Sequence, residues 1–466
     1  MNPSQTLSPD LLKAQDGLVE TIKEHFAANG DGVRRYFVDT YGCQQNEADS
    51  EILRGLAERM GYLPAAEENE ADLILINTCA VREHAEQRVL SNVGALSHIK
   101  RRNPGLIIGV CGCMVTQSHM AEKIRKSYPY VDLVFNTHSV HRFPEILAER
   151  LLSGRRVFGM DESEGIIVED LPRVRREGVK AWLSVMYGCN NFCSYCVVPY
   201  VRGRERSRDH VEIIREAKDL VAAGYREITL LGQNVNSYSG GTDFPGLLRE
   251  LNEIEGEFFV RFMTSHPKDA SNELFLAMAE CDKVAASLHL PFQSGSDGIL
   301  KAMNRGYTSA QYLEKIAFAR SLMPHIVLTS DVIVGFPGET EADFEQTFQL
   351  IKTVGFDSLF TFIYSKREGT SAASLKDDTP REVKGERLRR LIDAQNEISS
   401  NLHAGCIGKT FRVLVDGSEE DGALSARTEG GRLVHFDGDA GLIGSFADVE
   451  IYKSSIKTLF GRQIRP

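Results

Sequence analysis

No apolar run in the 466 residues approaches the length of a membrane span, and the N-terminus lacks a basic segment followed by an apolar one. Neither a spanning helix nor a secretory signal is expected, and the cytoplasm is the expected location. An excess of positive charge is also missing. The 54 Lys and Arg face 65 Asp and Glu, for a net charge of −11. Indiscriminate nucleic-acid binding needs a basic field, so any RNA contact must come from a local patch. Nine cysteines is an odd number for a disulfide framework. Without an export signal, ligand or free thiols in a reducing compartment are expected. The remaining composition, 42% hydrophobic and 26% charged, is that of an ordinary globular chain. The length suits two to four domains with ample core.

Three of the cysteines are concentrated in one place. Cys189, Cys193 and Cys196 lie in MYGCNNFCSYC with the spacing Cys-x3-Cys-x2-Cys. Thiolates are soft ligands suited to iron–sulfur clusters. Three ligands on a 4Fe-4S cluster leave one iron open, and an open metal position keeps room for a reactant. A structural zinc site would want a fourth ligand, usually from a second Cys-x2-Cys pair, and none occurs. The spacing resembles the signature of radical S-adenosylmethionine (SAM) enzymes, in which the open iron binds SAM through its amino and carboxylate groups.

A basic patch flanks this triplet. Residues 173–208 carry Arg173, Arg175, Arg176, Lys180, Arg202, Arg204, Arg206 and Arg208 against Glu177 and Glu205. A solvated face would look the same, but its position beside the triplet favours an anionic substrate.

Periodicity divides the chain. Residues 1–34 read as a peripheral leader with a helix over LLKAQDGLVETIKEHF. In residues 35–150, YFVDTYG, DLILIN, LIIGVC and DLVF read as strands between helical stretches, which predicts a parallel α/β sheet. Residues 151–180 read as a linker. From 181 the alternation resumes with six strand candidates: AWLSVMYG, REITLLGQ, FVRFMTS, SLHLPFQ, IVLTSDVIVGF and SLFTFIYS. Six βα units fit a partial, TIM-like (βα)6 barrel, followed by a polar helix to about 403. Residues 404–466 change period to five short strands, which fit a small OB-like β-barrel. The fold class is thus α/β multidomain with a small β-barrel at the C-terminus.

The other cysteines now acquire positions. Cys43, Cys79 and Cys113 each follow a strand candidate of the first domain. In a parallel sheet those strand ends share one edge, where ligands bind. Three thiols distant in sequence are therefore expected to converge, with a second cluster as one outcome and buried structural thiols as the other. Cys111, two residues from Cys113, competes for the third place, and spacing does not decide between them. Cys281 and Cys406 read as structural thiols.

TYGCQQNEADSE, NTCAVREHAEQRV, CGCM, GCNNFCSYCVVPYVRGRERSR, ITLLGQNVNSY, RFMTSHPKD, HLPFQSGSD and VIVGFPGET together resemble the radical-SAM methylthiotransferase family, from about residue 35 to the C-terminus. The resemblance implies an N-terminal methylthiotransferase domain, a radical-SAM domain and a TRAM tail. It places an auxiliary 4Fe-4S cluster on Cys43, Cys79 and Cys113, with Cys111 a bystander, and the SAM-binding 4Fe-4S cluster on Cys189, Cys193 and Cys196. The residues around Cys43, with TCAVRE and LLGQNVNSY, are similar to the tRNA branch that methylthiolates C2 of N6-isopentenyladenosine (N6-dimethylallyladenosine) beside the anticodon. SAM then serves as both radical source and methyl donor. Alternatives are the branches acting on threonylcarbamoyladenosine of tRNA or on a ribosomal-protein aspartate, and a zinc-stabilised RNA-binding protein without enzymatic activity. One departure is YSKREGT, where Glu368 takes a position often held by proline in the family.

By the same resemblance, Tyr195, Gln233, Asn234, Gly335 and Gly338 lie near SAM, and Arg202, Arg204, Arg206 and Arg208 grip tRNA phosphates. The implied partners are tRNA carrying isopentenyladenosine, an electron donor and a sulfur source. A monomer without membrane attachment is expected.

Overall fold

The computed structural model describes residues 9–30, 32–80, 83–161, 165–175 and 178–464. Arg176 and Glu177 of the basic stretch and part of the NTCAVRE motif lie outside the described residues. The chain divides into two compact units. One comprises Met1–Arg176, Tyr187–Asn190 and Cys196–Arg208; the other comprises Glu177–Met186, Asn191–Tyr195 and Asp209–Pro466.

The N-terminal unit is built on a six-stranded sheet of β1 (Arg35–Thr40), β2 (Leu63–Pro64), β3 (Leu73–Thr78), β4 (Ile107–Gly112), β5 (Leu133–Phe135) and β6 (Val157–Gly159). Its order is β2-β1-β3-β4-β5-β6, and every pairing is parallel. β3 and β4 are buried throughout, as near-continuous apolar strands covered on both faces should be. One face packs under the helices Pro9–Ala28, Gln44–Arg59 and Phe143–Ser153, the other under Glu83–Arg102 and Ser118–Ser127.

Val19 and Ile22 of the N-terminal helix are buried in the same core as Leu53 and Phe143. Residues 151–180, expected as a linker, include β6. β6 completes the sheet, and the 172–173 backbone lies so close to Gly55 that a Cβ there would meet Pro172 O at 2.3 Å.

The second unit contains six parallel strands in the order expected from the sequence: Lys180–Ser184, Glu227–Leu231, Phe259–Phe262, Ser287–His289, Val327–Val334 and Ser358–Ile363. The first three form one sheet and the last three another, with a parallel bridge between Val260 and Val284. This is the partial barrel, and a single apolar cluster packs its strands against the surrounding helices. The helix Arg381–Ala404 leads into a closed five-stranded barrel over residues 410–463. Among the described residues no helix is long and apolar enough to cross a membrane.

The small barrel docks on the N-terminal ends of the large barrel's strands. Lys180, at the start of the first strand, donates to Asp416 at 2.5 Å. Asp357, just before the sixth, accepts from Arg432 at 2.5 and 3.0 Å. Arg261 donates to Glu227 at 2.7 Å and to the carbonyls of Glu429 and Thr428 at 2.6 and 3.0 Å. Phe259 meets Phe446 edge to face at 5.0 Å. In a barrel of parallel strands the reacting end is the C-terminal one, so the small barrel closes the opposite end.

Arg261→Ala removes three charge-assisted hydrogen bonds at this junction. A loss of about 2–4 kcal/mol is expected. It is read as a lower unfolding midpoint together with faster limited proteolysis near residues 405–409. Arg261→Lys, lacking the planar fork, should recover only part of the difference.

Candidate functional site

The sheet edge brings Cys43, Cys79 and Cys113 to the ends of three adjacent strands, β1, β3 and β4. Cys43 is the N-cap of the helix Gln44–Arg59, Cys79 follows β3, and Cys113 opens the short helix after β4. Gly42, with φ of 133°, permits the approach, since a Cβ there would lie 2.7 Å from the Cys79 Cβ. Gly112, at φ 97°, turns the chain where a side chain would strike Asn77 and Thr78.

A buried polar lattice fixes these turns. Asn46 donates to Thr78 O at 2.9 Å, Asn77 donates to Asn46 O at 2.8 Å and to Ser50 Oγ at 2.9 Å, and the Cys43 thiol donates to Asn46 Oδ1 at 3.3 Å. Cys113 is buried with Ala80, Val197 and Val201. Burial pushes its thiol up to about 12 against the pull of the Arg202 guanidinium, and the neighbouring Cys79 and Cys43 add to the rise. Cys111 sits inside β4 in the apolar core with Leu75 and Phe135, one residue before the Gly112 turn.

Arg202 is the cation beside Cys113 and Cys43. Only 5% exposed, it donates to Asp49 at 2.8 Å. Burial opposes its charge, yet Asp49, Cys113 and Cys43 hold its pKa well above the ordinary arginine value. Arg208 is 3% exposed and grips Glu169 through two nitrogens at 2.6–3.0 Å. Both arginines are held by carboxylates of the N-terminal unit. Arg206 is half-buried and donates to the carbonyls of Arg204 and Arg202. Arg204 is exposed.

Of the sequence triplet, Cys193 is buried and Cys189 and Cys196 are half-buried. In the N-terminal unit, Cys189 N donates to Gly203 O at 3.1 Å, and Asn190 and Glu205 exchange hydrogen bonds. In the second unit, the Cys193 thiol accepts from Arg305 at 3.3 Å, with His266 at 3.9 Å. Burial works against the Arg305 charge, but Tyr195, Tyr307 and Cys193 hold its pKa far above the usual value. His266 is lowered to about 2 by burial, Arg305 and Lys268, so its ring is neutral near pH 7. Arg305 had no signal in the sequence, because NRGY reads as an ordinary turn.

At the C-terminal ends of the barrel strands, buried polar atoms lack protein partners. They include Asn234 Oδ1 after the second strand, Ser265 Oγ after the third and Gln293 Oε1 after the fourth. Thr264 (φ 70°) and Gln293 (φ 66°) hold left-handed backbone at the same ends; such strain gathers at functional sites. Orphaned buried groups cost free energy unless a ligand satisfies them.

Of the residues expected near SAM, Asn234 is therefore open to a ligand, its amide donating to Asp269 at 2.7 Å. Gln233 is half-buried. Tyr195 packs with Ile333 against Met303, Phe336 and Tyr364. Gly335 makes its close approach to the Lys384 side chain, and Gly338 is an exposed turn.

Comparison with known proteins agrees with this layout. Residues 35–136 match the uncharacterized protein family UPF0004, residues 183–351 the radical SAM superfamily and residues 405–464 the TRAM domain. The chain is 48% identical over 467 residues to the tRNA-2-methylthio-N(6)-dimethylallyladenosine synthase of Alkaliphilus oremlandii (strain OhILAs), covering 98% of each. The chain belongs to this synthase family. A second member, from Thermoanaerobacter sp. (strain X514), is 49% identical over 452 residues, 96% of each. In fold it is similar to the radical SAM methyltransferase TsrM from Kitasatospora setae, solved with cobalamin and a [4Fe-4S] cluster bound. That match has a TM-score of 0.56 at 14% identity, over 73% of this chain and 77% of that one.

The chain is a radical-SAM enzyme whose cofactors are two 4Fe-4S clusters and SAM. The site chemistry fits them. Among the described residues no group of three or more His, Cys, Asp or Glu converges to hold a single metal ion, whereas a four-iron cluster takes each thiolate on a different iron. Three thiols at one edge, a buried guanidinium beside two of them and the orphaned oxygens at the barrel end suit clusters and a polar cofactor.

Asp49→Ala leaves the Arg202 charge buried without its carboxylate. A loss of about 3–5 kcal/mol is expected in chemical unfolding, whereas Asp49→Asn, which keeps an acceptor, should lose less.

Proposed function

We propose that this protein methylthiolates C2 of N6-dimethylallyladenosine beside the anticodon of tRNA. The observation that carries the reading is the convergence of Cys43, Cys79 and Cys113 at one sheet edge, in a chain that also holds the radical-SAM triplet. We assign the auxiliary cluster to those three residues and the SAM-binding cluster to Cys189, Cys193 and Cys196. An unactivated aromatic C–H bond is beyond a general base near neutral pH; when bound, the clusters and SAM supply the radical, sulfur and methyl chemistry.

The chain's own residues hold and tune these groups. Arg202 offsets the negative charge of the auxiliary thiolates in a site without water's screening. Arg305 donates to the Cys193 sulfur, a hydrogen bond of the kind that shifts cluster potentials. Asn234, Ser265 and Gln293 offer polar atoms to SAM, with Gln233 and Tyr195 alongside. Gly335 and Gly338 serve the turn after the fifth strand. The target base sits in a single-stranded loop, where RNA bases are accessible, and Arg204 is the arginine of the expected set placed to meet phosphate. We assign the enzyme to the cytoplasm, as a monomer that draws on a separate electron donor and sulfur source.

Anaerobic turnover with defined tRNAs, read by mass spectrometry, tests the substrate. Dimethylallylated tRNA should gain a methylthio group. No product from it, with product from a ribosomal protein or from threonylcarbamoylated tRNA, would overturn the reading. Replacing Cys43, Cys79 and Cys113 together by Ala should remove about half the iron yet leave SAM cleavage to 5′-deoxyadenosine. Cys111→Ala should leave the iron content unchanged.

A further inference from the structure

The sixth barrel strand, Ser358–Ile363, pairs on one side only within its sheet. Leu359 and Ile363 pack into the core beneath the surrounding helices. The alternate residues Ser358, Phe360 and Phe362 therefore face the barrel interior. Phe360 is 48% exposed and Phe362 37%, a pair of large apolar rings turned toward a strongly polar lumen.

Their neighbours are fixed by register. Phe360 lies beside Asp331 and Phe362 beside Ile333 on the fifth strand. On the fourth, the His289 ring meets Phe360 edge to face at 5.8 Å, and its Nε2 lies 3.6 Å from Asp331. Ile333 packs in the same cluster as Tyr195, between Cys193 and Cys196. The two phenylalanines thus form an apolar shelf that runs up the inner wall toward the cysteine loop.

The shelf differs in chemistry from the rest of the barrel end. The second, third and fourth strands carry the orphaned oxygens of Asn234, Ser265 and Gln293, which suit a polar cofactor. The sixth strand offers ring faces and a carboxylate at Asp331. Exposed apolar surface in a lumen marks a place for an apolar ligand.

Resting on the function proposed above, we propose that Phe360 and Phe362, on the inner face of the sixth strand at the sheet edge beside Asp331, bind the dimethylallyl branch of the target adenosine and set specificity for it. The branch has five carbons and no polar atom, so two ring faces suffice to bury it. Asp331 can accept from the N6–H of the same base. A threonylcarbamoyl branch would bring a carboxylate against Asp331 and leave its polar groups unsatisfied against the rings. The shelf therefore separates the two tRNA substrates as well as modified from unmodified adenosine.

Anticodon stem-loop RNAs carrying adenosine, dimethylallyladenosine or threonylcarbamoyladenosine test this with the anaerobically prepared, cluster-loaded full chain and SAM. Affinity is read by fluorescence anisotropy and 5′-deoxyadenosine formation is followed without RNA. Phe360→Ala and Phe362→Ala should each reduce the preference for the dimethylallylated RNA by about tenfold. Binding of unmodified RNA and SAM cleavage should stay unchanged, and Phe362→Leu should keep most of the preference. A wild-type preference that survives both Ala substitutions overturns the shelf and leaves the proposed function standing. Loss of SAM cleavage in the Ala variants assigns the rings to the cofactor and overturns it too. A wild-type enzyme without preference or product on the dimethylallylated RNA overturns shelf and function together.

Discussion

Parallel pairing governs both halves of the molecule. Where every strand runs the same way, every strand ends on the same edge, and whatever follows the strands is gathered there. In the N-terminal unit this brings Cys43, Cys79 and Cys113 together across 70 residues of sequence without any local motif. In the second unit it gathers Asn234, Ser265 and Gln293. The tight turns at Gly42 and Gly112 and the lattice of Asn46, Asn77 and Ser50 convert a shared edge into side-chain proximity.

That rule explains what the sequence made legible. Apolar runs marked four strands of the first sheet and all six of the barrel, because buried parallel strands are nearly continuous in apolar residues. The cysteines could be placed at an edge as soon as the strands could. β2, of two residues, was too short to carry a pattern, and β6 lies in the stretch read as a linker. That Cys111 and Cys113 sit in different surroundings was hidden for another reason. Residues two apart share a face only while a strand continues, and the turn at Gly112 ends this one.

Composition does not show which cations of the basic stretch are buried. Arg202 and Arg208 look like surface charge, but their partners lie 153 and 39 residues away in sequence. Charge counting registers the cation and not the carboxylate it will find. The small barrel's location was equally invisible, since its contacts are isolated pairs such as Arg432 with Asp357. Because it docks on the strand starts, its distance from the reacting end is set by the fifth strand of eight residues, about 26 Å at 3.3 Å per residue. A mononucleotide cannot reach from one end to the other; a folded tRNA can.

The Arg202–Asp49 pair joins two stretches of chain that each follow a proposed cluster ligand. Asp49 lies six residues after Cys43, and Arg202 lies six after Cys196. The boundary drawn from sequence at residue 150 runs between them. A fragment ending there would contain the whole parallel sheet up to β5 and all three edge thiols, yet it would hold a buried carboxylate whose cation had been cut away. The compact unit on this sheet therefore also takes in residues 196–208, far along the chain from the sheet itself.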